Sequence, residues 1–285
     1  MEVVSDIGMM QARAEAVRLS GKRIAIVPTM GALHNGHLSL IRTARNNADV
    51  VVTTVFVNPT QFGPDEDFRR YPRDPERDAR FASEAGSSIV FMPDEKAMYP
   101  PGFLTNVQTD RVAATFEGAI RPTHFRGVTT VVAKLFHIVR PHVAVFGQKD
   151  IQQAFIIRRM IRDLNFDIEL IVSPIVREED GLAMSSRNVY LSASERKGAT
   201  SLIRALRKAV EMAGAGEKSL ERIRKEMMSI LEGGKPSSID YIAFLNPETF
   251  DETSVMPSPS LLIALAARFG ATRLLDNVVI QVPGQ

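Results

Sequence analysis

The chain has no cysteine and no long hydrophobic run. Without cysteine it can form no disulfide, no thiolate nucleophile and no zinc site with cysteine ligands. The longest apolar runs, such as residues 261–267, are far too short to span a bilayer. Residues 1–6 also lack the basic start and apolar run of a signal peptide. We therefore expect a cytoplasmic protein without a membrane partner.

Neither sign of charge dominates. The 35 basic and 33 acidic side chains give a formal net charge of +2, so we expect no nucleic-acid partner. Hydrophobic residues make up 45% of the 285 residues, which is ordinary globular composition. This length accommodates one large domain or two of ordinary size, with a sizeable core.

The first part of the chain alternates between strand and helix patterns. Buried strands are predicted at 24–27 and 49–57, on either side of a helix that includes Leu38. This βαβ unit implies a parallel sheet. The remaining patterns in this part predict strands at 88–92, 142–146 and 167–176 and helices at 5–20, 75–85, 127–140 and 151–164, whereas residues 105–120 are ambiguous.

The pattern changes near residue 176. Residues 192–232 predict two amphipathic helices, and three strand-like runs follow at 240–245, 261–268 and 273–280. Helices followed by consecutive strands are typical of an α+β unit. We predict an α/β domain with a parallel sheet over residues 1–175 and a smaller α+β domain over residues 176–285.

A glycine-bearing turn joins the first predicted buried strand to a helix, with the sequence Pro-Thr-Met-Gly-Ala-Leu-His-Asn-Gly-His at 28–37. Such a turn presents backbone N–H groups to a phosphate. His34 and His37 either cap the helix, line the core, ligate a metal or serve chemistry; the turn has no carboxylate to complete a metal site. Imidazoles here suit the charge that grows on phosphate oxygens during attack at an α-phosphorus. We interpret the turn as a nucleotide-phosphate site.

A second phosphate-binding segment is predicted at 184–188, Met-Ser-Ser-Arg-Asn. Alone it is equally typical of a solvated loop. Opposite a phosphate turn, Arg187 could chelate phosphate oxygens, and Ser185 and Ser186 would add donors.

Polar residues also follow the predicted strand at 142–146. Lys149 is a candidate phosphate contact, and Asp150 either accepts from a ribose hydroxyl or caps the next helix. One of Gln152 and Gln153 should face inward, where its buried amide needs a partner such as a substrate hydroxyl or carboxylate.

The loop at 58–71 is long for a connection in a compact domain. Its Gln61 lies between Pro59 and Phe62, in a stiff and partly apolar setting. This setting suits a small branched substrate with one or two polar groups, although a plain surface loop is the alternative.

These stretches resemble the pantoate–β-alanine ligase (pantothenate synthetase) family in order and spacing: 28–37, Phe-Val-Asn-Pro-Thr-Gln-Phe at 56–62, Tyr-Pro-Arg at 71–73, Phe-Gly-Gln-Lys-Asp-Ile-Gln-Gln at 146–153, and 184–188. The His-x-Gly-His spacing alone would indicate only the wider nucleotidylyltransferase superfamily. The resemblance implies an enzyme that joins (R)-pantoate to β-alanine with ATP and Mg²⁺, through a pantoyl adenylate, giving pantothenate, AMP and pyrophosphate. It also implies a homodimer, a Rossmann-like N-terminal domain and a C-terminal lid that closes over ATP.

The resemblance further implies which residues bind each substrate. Pantoate is assigned to Gln61 and Gln153, and β-alanine to Gln61. Catalytic roles fall on His34, His37, Lys149 and Arg187. ATP is assigned to Met30, Gly31, Ala32, Leu33, His34, Asn35, Gly36, His37, Gly147, Gln148, Lys149, Asp150, Val176, Met184, Ser185, Ser186 and Arg187.

Two assignments depart from the family pattern. His37 matches a position called the proton donor, but adenylate formation needs no proton, so we assign it charge stabilisation. Relatives carry acids after Tyr-Pro-Arg, whereas Arg77 replaces one of them in Asp-Pro-Glu-Arg-Asp at 74–78. The protein ligands of magnesium therefore stay unassigned, and we expect phosphate oxygens and water to hold the ion.

Two other functions stay open. An adenylyltransferase with a phosphorylated acceptor would need extra basic residues near the acceptor. A nucleotide-binding regulator without catalysis would keep the turn but need not keep Lys149, Arg187 and both histidines.

Overall fold

The computed structural model describes residues 1–64, 66–257 and 259–282. The chain forms two compact units. The first comprises Met1–Gln148 and Gln152–Pro174, and the second comprises Lys149–Ile151 and the chain from Ile175 onward.

The first unit contains a six-stranded sheet whose paired strands all run parallel, in the order β1-β4-β3-β2-β5-β6. Strand β2 pairs with β3 on one side, from Ile24↔Val50 to Thr29↔Val55, and with β5 on the other. The chain order reverses between β2 and β5, which is where open α/β sheets bind ligands at the carboxyl ends of their strands. The strands are β1 (Glu2–Val4), β2 (Ile24–Thr29), β3 (Val50–Val55), β4 (Ile89–Phe91), β5 (Val143–Gly147) and β6 (Glu169–Ser173).

Helices cover both faces of this sheet. The helices are α1 (Ile7–Leu19), α2 (Asn35–Asn47), α3 (Pro75–Glu84), α4 (Glu95–Met98), α5 (Glu117–Ile120), α6 (His124–Val139) and α7 (Ile151–Asp163). Alternate residues of β2 point to opposite faces, so Ile24 and Ile26 join a core with α1 and α6, whereas Ala25 and Val27 join a core with α2 and α3. Burial on both faces explains why β2 reads as an uninterrupted apolar run.

The predicted α/β fold is confirmed, with element ends shifted by a few residues. Strand β1 and helix α4 were not predicted, and they are only three and four residues long. The ambiguous stretch 105–120 contains a 3₁₀ turn at Arg111–Ala114 and the short helix α5.

The second unit packs helices against an antiparallel sheet of order β7-β8-β9. Leu206 of α9 and Met227 of α10 share a core with Ile263 of β8. The elements are α8 (Ala193–Ala199), α9 (Ser201–Gly214), α10 (Leu220–Gly233), β7 (Ser238–Leu245), β8 (Ser260–Phe269) and β9 (Thr272–Gln281).

The prediction of two helices over 192–232 is wrong, because three are present. The additional break falls at Thr200, which ends α8 and precedes α9. A Cβ on Gly198 would lie 2.4 Å from the carbonyl oxygen of Gly234, so the chain approaches another backbone segment closely here. Such a tertiary contact leaves no mark in hydrophobic periodicity.

Within the part of the chain that the structure describes, every helix is too short or too polar to cross a membrane.

Candidate active site

The turn predicted to bind phosphate lies between the end of β2 at Thr29 and the start of α2 at Asn35. Because β2 and β5 are neighbours in a parallel sheet, their carboxyl ends lie at the same edge. The turn at residues 30–37 and Gly147 at the end of β5 therefore follow neighbouring strands at the point where the strand order reverses, as expected for a ligand site.

A buried carboxylate holds the first half of this turn. The backbone N–H groups of Ala32 and Leu33 donate to Asp78 Oδ2 and Oδ1 at 2.9 and 2.8 Å. Asp78 lies in α3 and is only 1% exposed. Asp78 was not among the predicted site residues; the available signal was its position four residues before Ala82, on the apolar face of the helix.

The turn needs glycine at position 31. Gly31 and Ala32 have φ values of +82° and +50°, in the left-handed region. A Cβ on Gly31 would also lie 2.8 Å from Asp78 Oδ2. The two hydrogen bonds to Asp78 thus stabilise a backbone conformation that Ala32 would otherwise disfavour.

Both histidines cap helix α2, in a reciprocal arrangement. The N–H of Gly36 donates to His34 Nδ1 at 3.1 Å, and the N–H of His34 donates to His37 Nδ1 at 3.4 Å. The two rings lie 4.1 Å apart between centroids. Since each Nδ1 accepts, each neutral ring carries its hydrogen on Nε2 and is an Nε2–H donor.

Five backbone N–H groups of the turn donate within the protein, those of Gly31, Ala32, Leu33, His34 and Gly36. The assignment of Met30 to His37 to ATP stays a prediction, in which the imidazole Nε2–H groups are candidate donors to phosphate. Among residues 1–64, 66–257 and 259–282, no cluster of three or more His, Asp or Glu side chains could hold a metal ion at the histidines.

Gln61 is buried at the end of a 3₁₀ turn, Pro59–Gln61, and contacts the first residue of the histidine turn. Its Nε2 lies 2.9 Å from Met30 Sδ, and its Oε1 accepts from Asn58 Nδ2 at 3.1 Å. The structure thus brings together a residue predicted to bind the acid substrate and the first residue of the predicted ATP turn.

The residues before and at the start of helix α6 hold the backbone of Gln61. The carbonyl oxygen of Gln61 accepts from His124 Nδ1 at 2.9 Å and from Arg121 Nη2 at 3.3 Å. A Cβ on Gly127 would lie 2.4 Å from the carbonyl oxygen of Thr60, so only glycine permits this approach of α6.

Arg121 is itself paired. It donates to Glu66 Oε1 at 2.6 Å, and the two side chains are 19% and 25% exposed. Burial alone would raise the pKa of Glu66, but the hydrogen bond and charge of Arg121, with smaller contributions from His124 and Gly63, lower it below its usual value. The Arg121 guanidinium, which donates to the carbonyl oxygen of Gln61, therefore has its charge compensated by the Glu66 carboxylate.

Apolar side chains join the Gln61 loop to the turn. Ala32, Phe62 and Tyr71 form a buried cluster, with Met30, Val57 and Phe68 packed against it. The rings of Phe62 and Tyr71 lie 6.0 Å apart, edge to face. This surface suits a small branched aliphatic group beside the amide of Gln61.

The inward-facing glutamine of α7 is Gln152, and its partners are backbone groups. Its Nε2 donates to the carbonyl oxygens of Val112 and Thr115 at 2.7 and 2.9 Å, and its Oε1 accepts from the N–H of Glu117 at 3.1 Å. The Gln152 amide therefore holds residues 112–117 through these hydrogen bonds and is not available to bind a substrate. Gln153 is half-buried, and its assignment to pantoate stays a prediction.

In the second unit, hydrogen bonds connect three of the predicted ATP-binding segments. Asn277 Nδ2 donates to the carbonyl oxygen of Lys149 at 3.1 Å, and the neighbouring Asp276 pairs with Arg177 at 2.7 Å. The N–H of Met184 donates to the carbonyl oxygen of Val176 at 3.0 Å. Buried Asp276 and Asn277 thus connect residues 149, 176 and 184 through strand β9.

The loop at 184–188 is also braced by charged groups. Ser185 Oγ accepts from the N–H of Arg187, which starts the 3₁₀ turn Ser186–Tyr190. Glu178 accepts from Asn188 Nδ2 at 2.6 Å and pairs with Arg196. The hydrogen bond to Glu178, offset in part by burial, raises the pKa of Arg196. These hydrogen bonds and ion pairs hold the loop, and its assignment to ATP stays a prediction.

The parallel sheet with its reversal point, and the histidine turn at that point, define an α/β fold of the nucleotidylyltransferase type. A family model described as pantoate-beta-alanine ligase matches residues 2–279. The chain therefore belongs to the pantoate–β-alanine ligase family, which is a family of enzymes.

Individual relatives agree over the whole length. The chain is 50% identical to "Pantothenate synthetase" from Desulfatibacillum aliphaticivorans over 281 residues, which are 99% of this chain and 100% of that protein. A crystal structure of pantoate-beta-alanine ligase (pantothenate synthetase) from Thermus thermophilus superposes with a TM-score of 0.92, at 46% identity, covering 98% of this chain and 99% of that one. A pantoate-beta-alanine ligase from Francisella tularensis, complexed with beta-gamma ATP and beta-alanine, gives a TM-score of 0.79 at 32% identity, covering 98% and 97%.

Proposed function

We propose that this chain condenses (R)-pantoate with β-alanine, using ATP, to give pantothenate, AMP and pyrophosphate. The observation that carries the proposal is the contact between Gln61 and Met30, because it places an amide for a small acid beside the histidine turn. The family membership supports the same activity.

The proposed first step joins the acid to AMP. A carboxylate oxygen of pantoate attacks the α-phosphorus, the bond from that phosphorus to the bridging oxygen breaks, and pyrophosphate leaves. His34 and His37 donate from Nε2 to the phosphate oxygens, whose negative charge grows during the attack. We propose that Lys149 and Arg187 neutralise further phosphate charge.

The proposed second step needs no group from the turn. The amine nitrogen of β-alanine attacks the acyl carbon of the adenylate, the carbon–oxygen bond to AMP breaks, and the nitrogen loses a proton to solvent. The histidines thus serve only the first half-reaction.

We propose that ATP enters as its magnesium complex. Both oxygens of Asp78 already accept N–H groups, and the described residues provide no cluster of three acidic or histidine side chains. These side chains do not form a cage for the ion, so phosphate oxygens and water would hold it. We assign no step to the metal.

A coupled AMP assay tests the proposal. The protein should form AMP only when pantoate and β-alanine are both present, and it should exchange pyrophosphate into ATP with pantoate alone. AMP formation that ignores pantoate, or exchange that requires the amine, would contradict it.

The alternative of a phosphorylated acceptor is disfavoured, because Glu66 neutralises Arg121, the guanidinium bonded to Gln61. A nucleotide-binding regulator would bind ATP without forming AMP, so the same assay excludes or establishes it.

The family resemblance also supports a cytoplasmic homodimer with residues 176–285 as a lid. Light scattering tests the dimer, and hydrogen exchange of the lid residues with and without ATP tests the closure.

A further inference from the structure

The hydroxyl of Tyr99 begins a chain of hydrogen bonds that ends at Gln61. Tyr99 donates to Asn58 Oδ1 at 2.8 Å, and Asn58 Nδ2 donates to Gln61 Oε1 at 3.1 Å. Asn58 is 1% exposed and Gln61 is 7% exposed. Tyr99 lies at the end of α4, outside every motif that the sequence analysis singled out.

Two backbone groups fix the direction of this chain. Asn58 Nδ2 also donates to the carbonyl oxygen of Gly127 at 3.1 Å, and Asn58 Oδ1 also accepts from the N–H of Thr60 at 3.3 Å. A carbonyl oxygen only accepts and an N–H only donates, so the amide of Asn58 has one possible orientation. Consequently Oε1 of Gln61 faces Asn58, and its NH₂ group faces Met30.

The ring of Tyr99 is held on several sides. It packs against Phe56 and Phe103, with centroids 6.2 and 5.1 Å away, and the Lys134 ammonium lies 5.8 Å from its centre. Burial, opposed in part by a hydrogen bond with Thr60, raises the pKa of the Tyr99 hydroxyl. The group therefore keeps its hydrogen at neutral pH and remains a donor to Asn58.

We propose that Tyr99 is a positioning residue that acts through Asn58 to hold Gln61 as an N–H donor toward an oxygen of the acid substrate. This inference rests on the proposed function. In this role the hydroxyl of Tyr99 supplies one of the hydrogen bonds that keep the Asn58 amide in place. The site would then favour an acid whose hydroxyl or carboxylate oxygen accepts from the Gln61 NH₂ group. It would disfavour a molecule that places a hydrogen-bond donor opposite this NH₂ group.

Tyr99→Phe tests the proposal, because it removes only the hydroxyl. The KM for pantoate should rise about three- to tenfold, corresponding to one neutral hydrogen bond, while the KM for ATP stays within about twofold of the wild type. Thr60→Val removes the other hydroxyl that donates to Asn58 Oδ1, at 2.9 Å, and should act in the same direction. Tyr241→Phe in β7 is the matched control and should leave both constants unchanged.

A double-mutant cycle separates positioning from general packing. If Tyr99 acts through Gln61, then Tyr99→Phe should add no further rise in the pantoate KM when Gln61 is already alanine. An equal further rise in that background, or a parallel loss for ATP and pantoate, would overturn the proposal. So would a wild-type KM for pantoate in Tyr99→Phe. If the wild-type protein forms no AMP with pantoate, the proposed function fails first, and the two failures are distinguished.

Discussion

Replacing Asp78 tests how the protein stabilises the backbone of the histidine turn at residues 30–37. Its two oxygens accept the N–H groups of Ala32 and Leu33 at 2.9 and 2.8 Å, and its side chain is almost completely buried. Asp78→Asn keeps the shape, but an amide has one accepting oxygen, so one N–H would face the donor NH₂ group. We expect a loss of about 2–4 kcal/mol in the free energy of unfolding, from one lost charge-assisted bond and one unsatisfied N–H.

The consequence for catalysis follows from the conformation of the turn. Ala32 has a φ of +50°, and without Asp78 the turn can relax toward an unstrained backbone. Because the histidines follow directly, a displacement on the order of 1 Å would lower pyrophosphate exchange by about 100-fold. Amide hydrogen exchange of a peptide covering residues 29–38 should rise in the same variant.

Glu76→Gln is the matched control. Glu76 is an exposed acid in the first turn of the same helix, and its loss removes the same charge at a cost below about 1 kcal/mol. The reasoning would be refuted if Asp78→Asn kept both the wild-type free energy of unfolding and the wild-type rate of pyrophosphate exchange. If Asp78 were instead a metal ligand, the variant would need more Mg²⁺ for half-maximal exchange while its metal-free stability stayed the same.

Three further predictions concern the same unit. His37→Ala should lower the adenylation rate by about 2–4 kcal/mol of transition-state stabilisation, measured as pyrophosphate exchange, and an unchanged rate would remove its role. Gly127→Ala should raise the KM for pantoate, because its Cβ would lie 2.4 Å from a backbone oxygen of the Gln61 loop, whereas Gly214→Ala meets no atom within 4 Å and serves as the control. Glu66 has a folded pKa below its unfolded value, so its pairing with Arg121 stabilises the protein above about pH 4.5 and is lost as the pH falls through the folded pKa. Urea unfolding at about pH 7 and about pH 3.5 should therefore show less acid destabilisation in Glu66→Gln than in the wild type.

The inner strands of the sheet were predictable because they are buried on both faces. Runs such as residues 24–27 are apolar at every position, and the helices between them carry the periodicity of a single buried face. The histidine turn was placed correctly between β2 and α2 for the same reason. Local patterns suffice where burial alone decides the structure.

The partners of buried polar groups could not be predicted in this way. Asp78 contacts residues 45 and 46 positions earlier, and His124 contacts the backbone of Gln61 from 63 positions away. Hydrophobic periodicity predicts that Asp78 faces the core, but it does not predict which backbone N–H groups the Asp78 carboxylate contacts. The same holds for Gln152, which was correctly expected to need a partner but finds it in backbone groups rather than in a substrate.

The two histidines show why a structural role and a chemical role need not compete. As caps, their Nδ1 atoms accept the N–H groups of Gly36 and His34, and this places the hydrogen of each neutral ring on Nε2. A donor of fixed tautomer is what a phosphate of growing charge requires. The hydrogen bonds that start helix α2 would therefore also set the tautomer of both rings for the proposed adenylate formation.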